Sequence, residues 1–393
     1  MGDKEASYVA KKILQEQARK YDAKKDDEIT SSNWSFGEFF RTVFLPQGYP
    51  HSVSNDYLEY QKWDTAQALM SSLNGALATE AVLQGAGVGD EKSTALAAAL
   101  TWIVKDGIGM IGRIAFSYKV GTQLGPNSKK WRLRADVLND LAYFVDLSNP
   151  FLPGFFLPLV CMSSLMRCVV GVAGGVTRAT IAEHQAKNNN LGDVVAKDGS
   201  QETMVNLIAM VLSLIMLPLV SGNVPLVWAL YAIFTFLHMF FNYKAVRSLV
   251  YNSLNYERLE YVTRTWRRSG VVPDVETVNK NEKVFFEDDV ENHFGERLLD
   301  APDGLEPLYE VEDSHIYHVN GRRKYIWMAQ SDHEHDTSRR EIVAVAQAIM
   351  TADGNDGNID CEDFLRQLED SGYTLQSNDL AFQDFTYDKK KCT

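Results

Sequence analysis

Charged and amide side chains interrupt the apolar stretches of this chain, and their types could support ligand chemistry. They stand in or beside apolar segments at Lys105, Asp106, Arg113, Arg134, Asp136, Asn139, Asp140, Arg178, Lys197, Asp198 and Glu202. Charges inside membrane helices are costly to bury, so they usually face a cavity and pair with one another. The set predicts a polar site or pathway for a small, anionic solute. Structural ion pairs that tie helices together explain the same residues, and both interpretations stay open.

Two stretches resemble ligand-binding loops but lack residues that those loops require. Residues 83–94 (LQGAGVGDEKST) resemble a phosphate-binding loop, yet Glu91 stands where glycine must precede the lysine. Residues 352–363 resemble a calcium-binding loop, but its first and third ligand positions hold Ala352 and Gly354. The sequence therefore predicts no nucleotide site, and a helix-loop-helix that has lost calcium rather than a working calcium site.

Catalytic and metal-binding arrangements have little support in the sequence. His184 and His238 are isolated from residues that would serve as nucleophiles. The run 332–336 (DHEHD) is better explained as a solvated polar turn than as a metal site, and the four cysteines have no zinc-ligand spacing. We therefore expect no enzymatic activity, no catalytic residue, no metal and no cofactor.

Two uncharged stretches, 204–220 and 224–241, are separated by the turn residues 221–223 (SGN). At a rise of about 1.5 Å per residue each arm would span about 26 Å, close to the thickness of a thin bilayer. This pattern predicts a transmembrane helical hairpin at 204–241, with the lipid bilayer as a partner of the chain.

The region before this hairpin has the composition of closely packed membrane helices. Residues 63–88 and 95–118 are rich in alanine, glycine, serine and leucine. The small residues among them permit close approach of helix backbones. A further helix is predicted at 135–147. The apolar run 151–176 contains Pro153 and Pro158, which predict a kinked or re-entrant segment.

Basic residues predict the orientation of the chain in the membrane. A short basic loop at 119–136 and a cluster after residue 243 both indicate the cytoplasmic side. Lys390 and Lys391 stand four and three positions from the last residue counted inclusively, a pattern similar to a dilysine retrieval signal. We therefore expect a multi-pass protein of the endoplasmic reticulum with a cytosolic C-terminus. The formal net charge of -13 argues against a nucleic-acid partner.

The composition divides the chain into four predicted parts. These are a charged N-terminal helix at 1–33, a membrane domain at 34–270, an acidic linker at 271–307 and a cytosolic domain at 308–393. In the last part Asn320 and Gly321 predict a β-hairpin, and two helices should follow at 338–350 and 361–371. The predicted fold is mainly α: a multi-pass α-helical membrane domain with a small C-terminal soluble α+β domain.

Several motifs between about residues 40 and 270 carry a family resemblance. They are 44–58 (FLPQGYPHSVSNDYL), 60–64 (YQKWD), 102–107 (WIVKDG), 112–114 (GRI), 131–140 (WRLRADVLND), 171–178 (GVAGGVTR) and 196–203 (AKDGSQET). In these motifs the chain resembles the root UVB sensitive family. The resemblance implies a eukaryotic membrane protein linked to vitamin B6 homeostasis that acts with paralogues, and no enzymatic activity is established for that family.

The motifs overlap the charged set, so its residues are the site candidates. We expect a non-enzymatic membrane protein that binds or passes a small, vitamin B6-related solute through its charged helical core. Pyridoxal phosphate or a related vitamer is implied as a ligand by the family resemblance alone. The alternative is a membrane scaffold that acts through a paralogue, a second copy of the chain or another protein partner.

Overall fold

The computed structural model describes most of the chain from residue 36 onward. The described residues are 36–86, 95–285, 292–295, 305, 307–311, 314–320, 323–329, 337–354, 359–382 and 386–387. The predicted N-terminal helix at 1–33, the polar turn at 332–336, most of the phosphate-loop look-alike and the two lysines near the C-terminus lie outside them.

Long helices make up the first two thirds of the described chain. They are α1 (Phe36–Phe44), α2 (Tyr57–Gly85), α3 (Ala95–Leu124), α4 (Ser128–Leu147), α5 (Phe156–Gln185), α6 (Leu191–Val220) and α7 (Val224–Ser248). Two short 3-10 turns, Asn149–Phe151 and Pro153–Phe155, connect α4 to α5.

Among the described residues, three helical segments are long and apolar enough to cross a membrane, as judged by length and composition. They are Pro153–Gln185, Leu191–Val220 and Val224–Ser248. Large apolar side chains on them are uncovered by protein, with Leu214 68% exposed and Phe236 69% exposed. Such surfaces suit lipid rather than water. The predicted fold class is confirmed as mainly α with candidate membrane-crossing helices.

The predicted hairpin is present, and its arms are longer than expected. Helices α6 and α7 are joined at 221–223, where Gly222 adopts a φ of +80° that favours glycine. Both arms pack mainly on α2 and hardly on each other. Asn74 of α2 donates to Thr235 of α7 at 3.0 Å, and Ser72 of α2 donates to Asn206 of α6 at 3.0 Å. Helix α2 therefore holds the two arms in place.

The prolines at 153 and 158 do not interrupt the helix that follows them. Pro153 lies in the second 3-10 turn, and Pro158 is the third residue of α5. The first-turn N–H groups of a helix have no intrahelical acceptor, so proline is tolerated there. Helix α5 runs continuously to Gln185, and the kinked or re-entrant path of this segment stays a prediction.

The predicted basic loop at 119–136 is also wrong. Only residues 125–127 separate α3 from α4, so the cations expected in a loop lie on a helix. The Lys129 ammonium lies 2.8 Å from Glu282 and the Lys130 ammonium lies 2.6 Å from Glu257. These lysines are thus neutralised by carboxylates from the C-terminal part, and the cytoplasmic orientation of the chain stays a prediction.

The C-terminal region is the expected small α+β unit. Its elements are α8 (Tyr256–Ser269), α9 (Val275–Asn281), β1 (His293–Phe294), β2 (Tyr309–Val311), β3 (His315–Asn320), β4 (Arg323–Ala329), α10 (Thr337–Ala352), α11 (Cys361–Asp370) and β5 (Thr386–Tyr387). The described strands lie in the order β1-β4-β3-β2, with β5 beside β4. Strands β3 and β4 are antiparallel, and Asn320 pairs with Arg323. The predicted β-hairpin and the two helices after it are confirmed.

The hydrophobic core of this unit includes α8. Ile342 and Ile349 of α10 and Phe364 of α11 are buried in one cluster with Leu259 and Val262 of α8. The predicted divisions at 270 and at 307 stay predictions, but this packing joins α8 and α9 to the sheet and to the last two helices.

A buried ion cluster connects the helical bundle to the C-terminal unit. Glu282, directly after α9, accepts from Lys129 of α4 at 2.8 Å and from Arg258 of α8 at 2.9 Å. The Asn255 amide also donates to Glu282 at 3.0 Å. The side chains of the three charged residues are between 2% and 4% exposed. One carboxylate therefore ties two elements of different regions together away from water.

Candidate functional site: a charged cavity between four helices

A cavity of about 480 Å³ lies between α2, α4, α5 and α6. Its polar lining comprises Gln61, Asp64, Thr65, Gln67, Ser71, Ser72, Arg132, Asp136, Asn139, Arg178, Asp198, Gln201, Glu202 and Asn206. A volume of this size is typical of sites for small molecules. Six charged residues of these helices, Asp64, Arg132, Asp136, Arg178, Asp198 and Glu202, thus meet in one place.

Arg178 of α5 connects the cavity to α6. Its Nε lies 2.5 Å from Asp198, and its Nη1 lies 2.5 Å from Glu202. Asp198 and Glu202 are four residues apart, so a helix places both carboxylates on the same face. The guanidinium group fixes both carboxylates at the cavity wall.

Arg132 of α4 makes the corresponding contacts on the opposite side. Its Nη2 lies 2.7 Å from Asp64 of α2, and its Nε lies 4.0 Å from Asp136, four residues farther along α4. These three side chains are between 14% and 17% exposed. Within the described structure the Arg132 Nε has no hydrogen-bond partner. A buried donor without a partner is uncommon in folded proteins.

Small residues of α5 leave the cavity open. Gly171, Gly174 and Gly175 line it, and a Cβ atom built on Gly174 or Gly175 would meet nothing within 4 Å. Larger side chains at these positions would project into the space between α5 and the other helices. The glycines therefore account for the room that the charged groups face.

The cavity has an excess of negative charge. Its lining includes the four carboxylates of Asp64, Asp136, Asp198 and Glu202 and the two guanidinium groups of Arg132 and Arg178, a formal excess of two negative charges. Each guanidinium is already paired with carboxylates of the lining. The arrangement therefore favours a ligand that brings a positive charge and hydrogen-bond donors.

Behind the wall lies His238 of α7, which is 1% exposed. Its Nδ1 lies 3.0 and 2.9 Å from the two carboxylate oxygens of Asp140, and its Nε2 lies 2.9 Å from Gln67 Oε1. The Nε2 also lies 3.9 Å from Asp136. A buried histidine thus contacts two residues of the cavity lining, Gln67 and Asp136.

The structure places the predicted site residues in different surroundings. Asp136, Asn139, Arg178, Asp198 and Glu202 line the cavity, and the buried Asp140 lies behind its wall. Asn139 donates to Ser71 of α2 at 3.1 Å, which holds its amide at the lining.

The other predicted residues do not line this cavity. The Arg134 guanidinium lies 5.3 Å from the Trp131 ring, and Lys197 donates to the Thr42 carbonyl oxygen at 2.6 Å. Arg113 lies against Gly171, since a Cβ on that glycine would be 3.4 Å from its Nη2. The Asp106 side chain is 62% exposed. These contacts give structural interpretations for the four residues.

Lys105 lines a second cavity of about 350 Å³ between α2, α3, α4 and α5. Its ammonium lies 4.3 Å from the Trp102 ring and 3.6 Å from Asp106. Arg167 and Asp146, which form an ion pair, lie on the same cavity. Lys105 is therefore separated from the larger charged set.

Sequence reasoning did not select Asp64, Arg132, Gln67 or His238 for the site. Asp64 and Arg132 stand inside the quoted motifs, and Arg132 precedes Asp136 by one helical turn, a spacing that permits an ion pair. That spacing was the available signal for Arg132. His238 carries no such local signal, because its partners come from α2 and α4.

Two carboxylates of the calcium-loop look-alike, Asp353 and Asp360, are engaged by protein groups. Asp353 accepts from Arg264 at 3.0 Å through both oxygens, and Asp360 accepts from the Asp363 N–H at the start of α11. Over the described ranges, which exclude 355–358, no group of three or more potential metal ligands occurs. The loss of calcium binding by this loop stays a prediction.

Comparison with known proteins identifies the family. The family described as "Vitamin B6 photo-protection and homoeostasis domain" matches residues 30–270, which is more than half of the chain. The chain belongs to the root UVB sensitive family. The region that matches this family contains every residue of the charged cavity.

Curated relatives support the assignment to the root UVB sensitive family. RUS family member 1 of Dictyostelium discoideum is 43% identical over 263 residues, which cover 66% of this chain and 50% of the relative. Protein root UVB sensitive 3 of Arabidopsis thaliana is 41% identical over 252 residues, or 63% of this chain and 57% of the relative. The chain spans about half the length of these relatives. No solved structure matches it.

Proposed function

We propose that the charged cavity binds a small, polar solute with a positive charge and passes it along the helical bundle. The observation that carries this proposal is the formal excess of two carboxylates over guanidinium groups in the lining. Both arginines are paired, so a ligand cation would meet carboxylates whose charge is incompletely balanced. The protein acts in this proposal as a binding or transport protein and not as an enzyme.

The family description supplies the solute class. It names vitamin B6, whose unphosphorylated amine form, pyridoxamine, carries an ammonium group. Pyridoxal phosphate instead carries a phosphate dianion, which the excess carboxylates would repel. We therefore propose unphosphorylated vitamers as ligands, in place of the anionic solute expected from the sequence.

Each wall of the cavity has a role in this proposal. The carboxylates of Asp198 and Glu202 receive the ammonium group, while Arg178 keeps them in position. On the opposite wall the partly exposed Arg132 guanidinium donates to a hydroxyl or phenolate oxygen of the solute. Helices α5 and α6, which carry part of the lining, are candidate membrane-crossing segments, so a bound solute would lie between such segments.

Binding to the purified full chain in detergent tests the proposal. Isothermal titration calorimetry should show binding of pyridoxamine, weaker binding of pyridoxine and little binding of pyridoxal phosphate. Glu202→Gln removes one cavity charge and keeps a similar shape. The ammonium group and the partly exposed Glu202 carboxylate would lie about 5 Å apart, so the loss of this attraction should weaken pyridoxamine binding by about tenfold.

Glu183→Gln is the matched control, because Glu183 is an exposed glutamate of α5 outside the cavity lining. It should bind pyridoxamine as the unmodified chain does. Tighter binding of pyridoxal phosphate than of pyridoxamine, or the absence of binding for all three vitamers, would refute the proposal.

A second candidate function is a scaffold that acts through a paralogue or another partner. Helix α3 favours it, because Ile103, Ile111, Ile114 and Tyr118 on one of its faces are between 66% and 94% exposed. Cysteine cross-linking in membranes tests it: Ile111→Cys should give a discrete cross-linked product, whereas Glu183→Cys should not. If Ile111→Cys gives no product beyond that of the unmodified chain, this face contacts lipid only.

For the location, we propose the endoplasmic reticulum membrane with a cytosolic C-terminus. The support is the dilysine pattern at Lys390 and Lys391 and the apolar character of the three long helices.

A further inference from the structure

His238 faces oxygen atoms from both of its ring nitrogens. On one side the Nδ1 lies 3.0 and 2.9 Å from the two oxygens of Asp140. On the other side the Nε2 lies 2.9 Å from Gln67 Oε1. A neutral imidazole has one N–H donor and one bare acceptor nitrogen, so it satisfies only one of these contacts.

The orientation of the Gln67 amide determines whether the His238 Nε2 carries a proton. Its Nε2 donates to Asp64 Oδ1 at 3.2 Å, so its Oε1 is the atom that faces the histidine. An amide oxygen only accepts hydrogen bonds, and the His238 Nε2 must therefore carry a proton.

The nearly equal distances to the two Asp140 oxygens determine whether the other nitrogen, Nδ1, carries a proton. A protonated Asp140 would donate through one oxygen and leave its second oxygen facing a bare nitrogen at nearly the same distance. A protonated Nδ1 instead donates to both oxygens of an ionised Asp140. The geometry therefore describes an imidazolium and a carboxylate.

Charged and polar groups surround this pair from every helix packed against it. Helix α4 contributes Asp136, which lies 3.9 Å from Nε2, and Arg132, which lies 4.0 Å from Asp136. Helix α2 contributes Asp64 through Gln67. On the same helix as His238, Asn242 donates to Asp136 at 2.5 Å and Tyr231 donates to the Asp140 carbonyl oxygen at 2.9 Å.

We propose that His238 is a proton-binding site that exchanges its proton for a cationic solute in the charged cavity. This inference rests on the proposed function. The imidazolium is stabilised by Asp136, a carboxylate that also lines the cavity. A solute cation held by Asp198 and Glu202 adds a positive charge to the cavity that Asp136 also lines. This charge repels the imidazolium, so the proton leaves to solvent through the cavity. By reciprocity a proton on His238 weakens solute binding.

Calorimetry in two buffers of different ionisation enthalpy measures this exchange. With pyridoxamine as the probe at pH 7, the full chain should release close to one proton per molecule bound. His238→Gln keeps a polar side chain but cannot hold the proton, so it should release close to none. Pyridoxamine binding to the unmodified chain without proton release would overturn the inference while the proposed function stands.

His184→Gln is the matched control. His184 also pairs with a carboxylate, since its Nε2 lies 2.8 Å from Asp56, but it does not line the cavity. This variant should release the same proton as the unmodified chain. If both histidine variants lose proton release on pyridoxamine binding, the loss reflects a general change of the protein, and the assignment of the proton to His238 is overturned.

A ligand-free measurement separates failure of this inference from failure of the proposed function. In the full chain with 15N-labelled histidine, nuclear magnetic resonance should show both His238 nitrogens protonated at pH 7, with the signal assigned by its loss in His238→Gln. Asp136→Asn removes the carboxylate 3.9 Å from Nε2 and should therefore move the His238 titration to lower pH.

These spectra decide the inference even if no vitamer binds. A bare Nδ1 at pH 7, or a titration of His238 that is unchanged in Asp136→Asn, would overturn the proton site. The expected spectra together with no pyridoxamine binding would refute the proposed function and leave a proton site coupled to the charge of the cavity.

Discussion

Replacing Glu282 by glutamine should destabilise the junction between the helical bundle and the C-terminal unit. Glu282 is the carboxylate that Lys129 and Arg258 share, at 2.8 and 2.9 Å. Glutamine has nearly the same shape but no charge. Lys129 would then face an amide, whereas Arg258 would keep Asp379 at 3.2 Å as its remaining carboxylate. An uncompensated buried charge is strongly destabilising.

The pKa of Glu282 sets the magnitude. Burial by itself would raise this pKa, but Arg258 and Lys129 outweigh burial and lower it from 4.5 to about 2. Since one pKa unit corresponds to about 1.4 kcal/mol, the folded protein favours the ionised carboxylate by about 3 kcal/mol. The variant should lose about this much free energy of unfolding, in line with the ~3–5 kcal/mol typical of broken buried pairs.

The lowered pKa also fixes the pH dependence. The ionised Glu282 contributes its full stability above pH 4.5, the ordinary pKa, and this contribution is lost as the pH falls toward about 2. The glutamine variant has no such group. Its stability should therefore fall less steeply than that of the unmodified chain across this acidic range.

Thermal unfolding of the detergent-solubilised chain, followed by tryptophan fluorescence at pH 7, provides the assay. A loss of about 3 kcal/mol should lower the midpoint by roughly 10 °C. Glu276→Gln, an exposed glutamate of α9, is the control and should change the midpoint by less than about 2 °C. Equal midpoints for the two variants would refute the assignment of Glu282 as the central charge of the junction.

Three further predictions concern other parts of the chain. Burial lowers the pKa of His315 to about 4. The neutral histidine therefore contributes its full stability above pH 6.5, and about 3 kcal/mol of the free energy of unfolding is lost as the pH falls toward 4. His315→Gln should flatten the pH dependence of stability in this range, measured by fluorescence-detected unfolding, and an unchanged slope would contradict the prediction. In the same thermal assay Gly85→Ala should lower the midpoint, because its Cβ would lie 2.9 Å from the Asn149 Cβ. The Cβ of Gly107→Ala would meet nothing within 4 Å, so this variant should unfold at the same midpoint or be more stable by up to about 1 kcal/mol. Replacing Lys390 and Lys391 by serine should release the protein from the endoplasmic reticulum in fluorescence microscopy, and unchanged localisation would exclude a dilysine signal.

Short sequence patterns were sufficient to predict the helical hairpin and the β-hairpin. The uncharged stretches on either side of 221–223 predicted the hairpin, because apolar character and a turn signal are both properties of short segments. The same holds for the β-hairpin at Asn320 and Gly321. Both predictions depended on few residues that are adjacent in sequence.

Helix boundaries and charge roles were harder to predict. The cations at 129 and 130 suggested a loop, since the acids that neutralise them, Glu257 and Glu282, stand more than 120 residues later. A local rule for basic loops counts such lysines as free charges. Only the tertiary arrangement shows that they are paired and buried.

The candidate site shows the same division between local and distant information. Asp198 and Glu202 share a helix face through their four-residue spacing, and both lie on the cavity. Lys197 is adjacent to Asp198 in sequence, but a helix turns about 100° per residue, and Lys197 instead contacts the Thr42 carbonyl. His238 carries no local signal for this site, because its partners Asp140 and Gln67 are about 100 and 170 residues away.

The core that joins α8 to the sheet affects how this family can diversify. The region that matches the family ends at residue 270, just past α8, yet Leu259 and Val262 of that helix are buried by α10 and α11. A gene rearrangement that replaced everything after residue 270 would leave an apolar face of α8 uncovered. A new C-terminal module would have to cover that face, so we infer that α8 constrains which modules evolution can attach to this bundle.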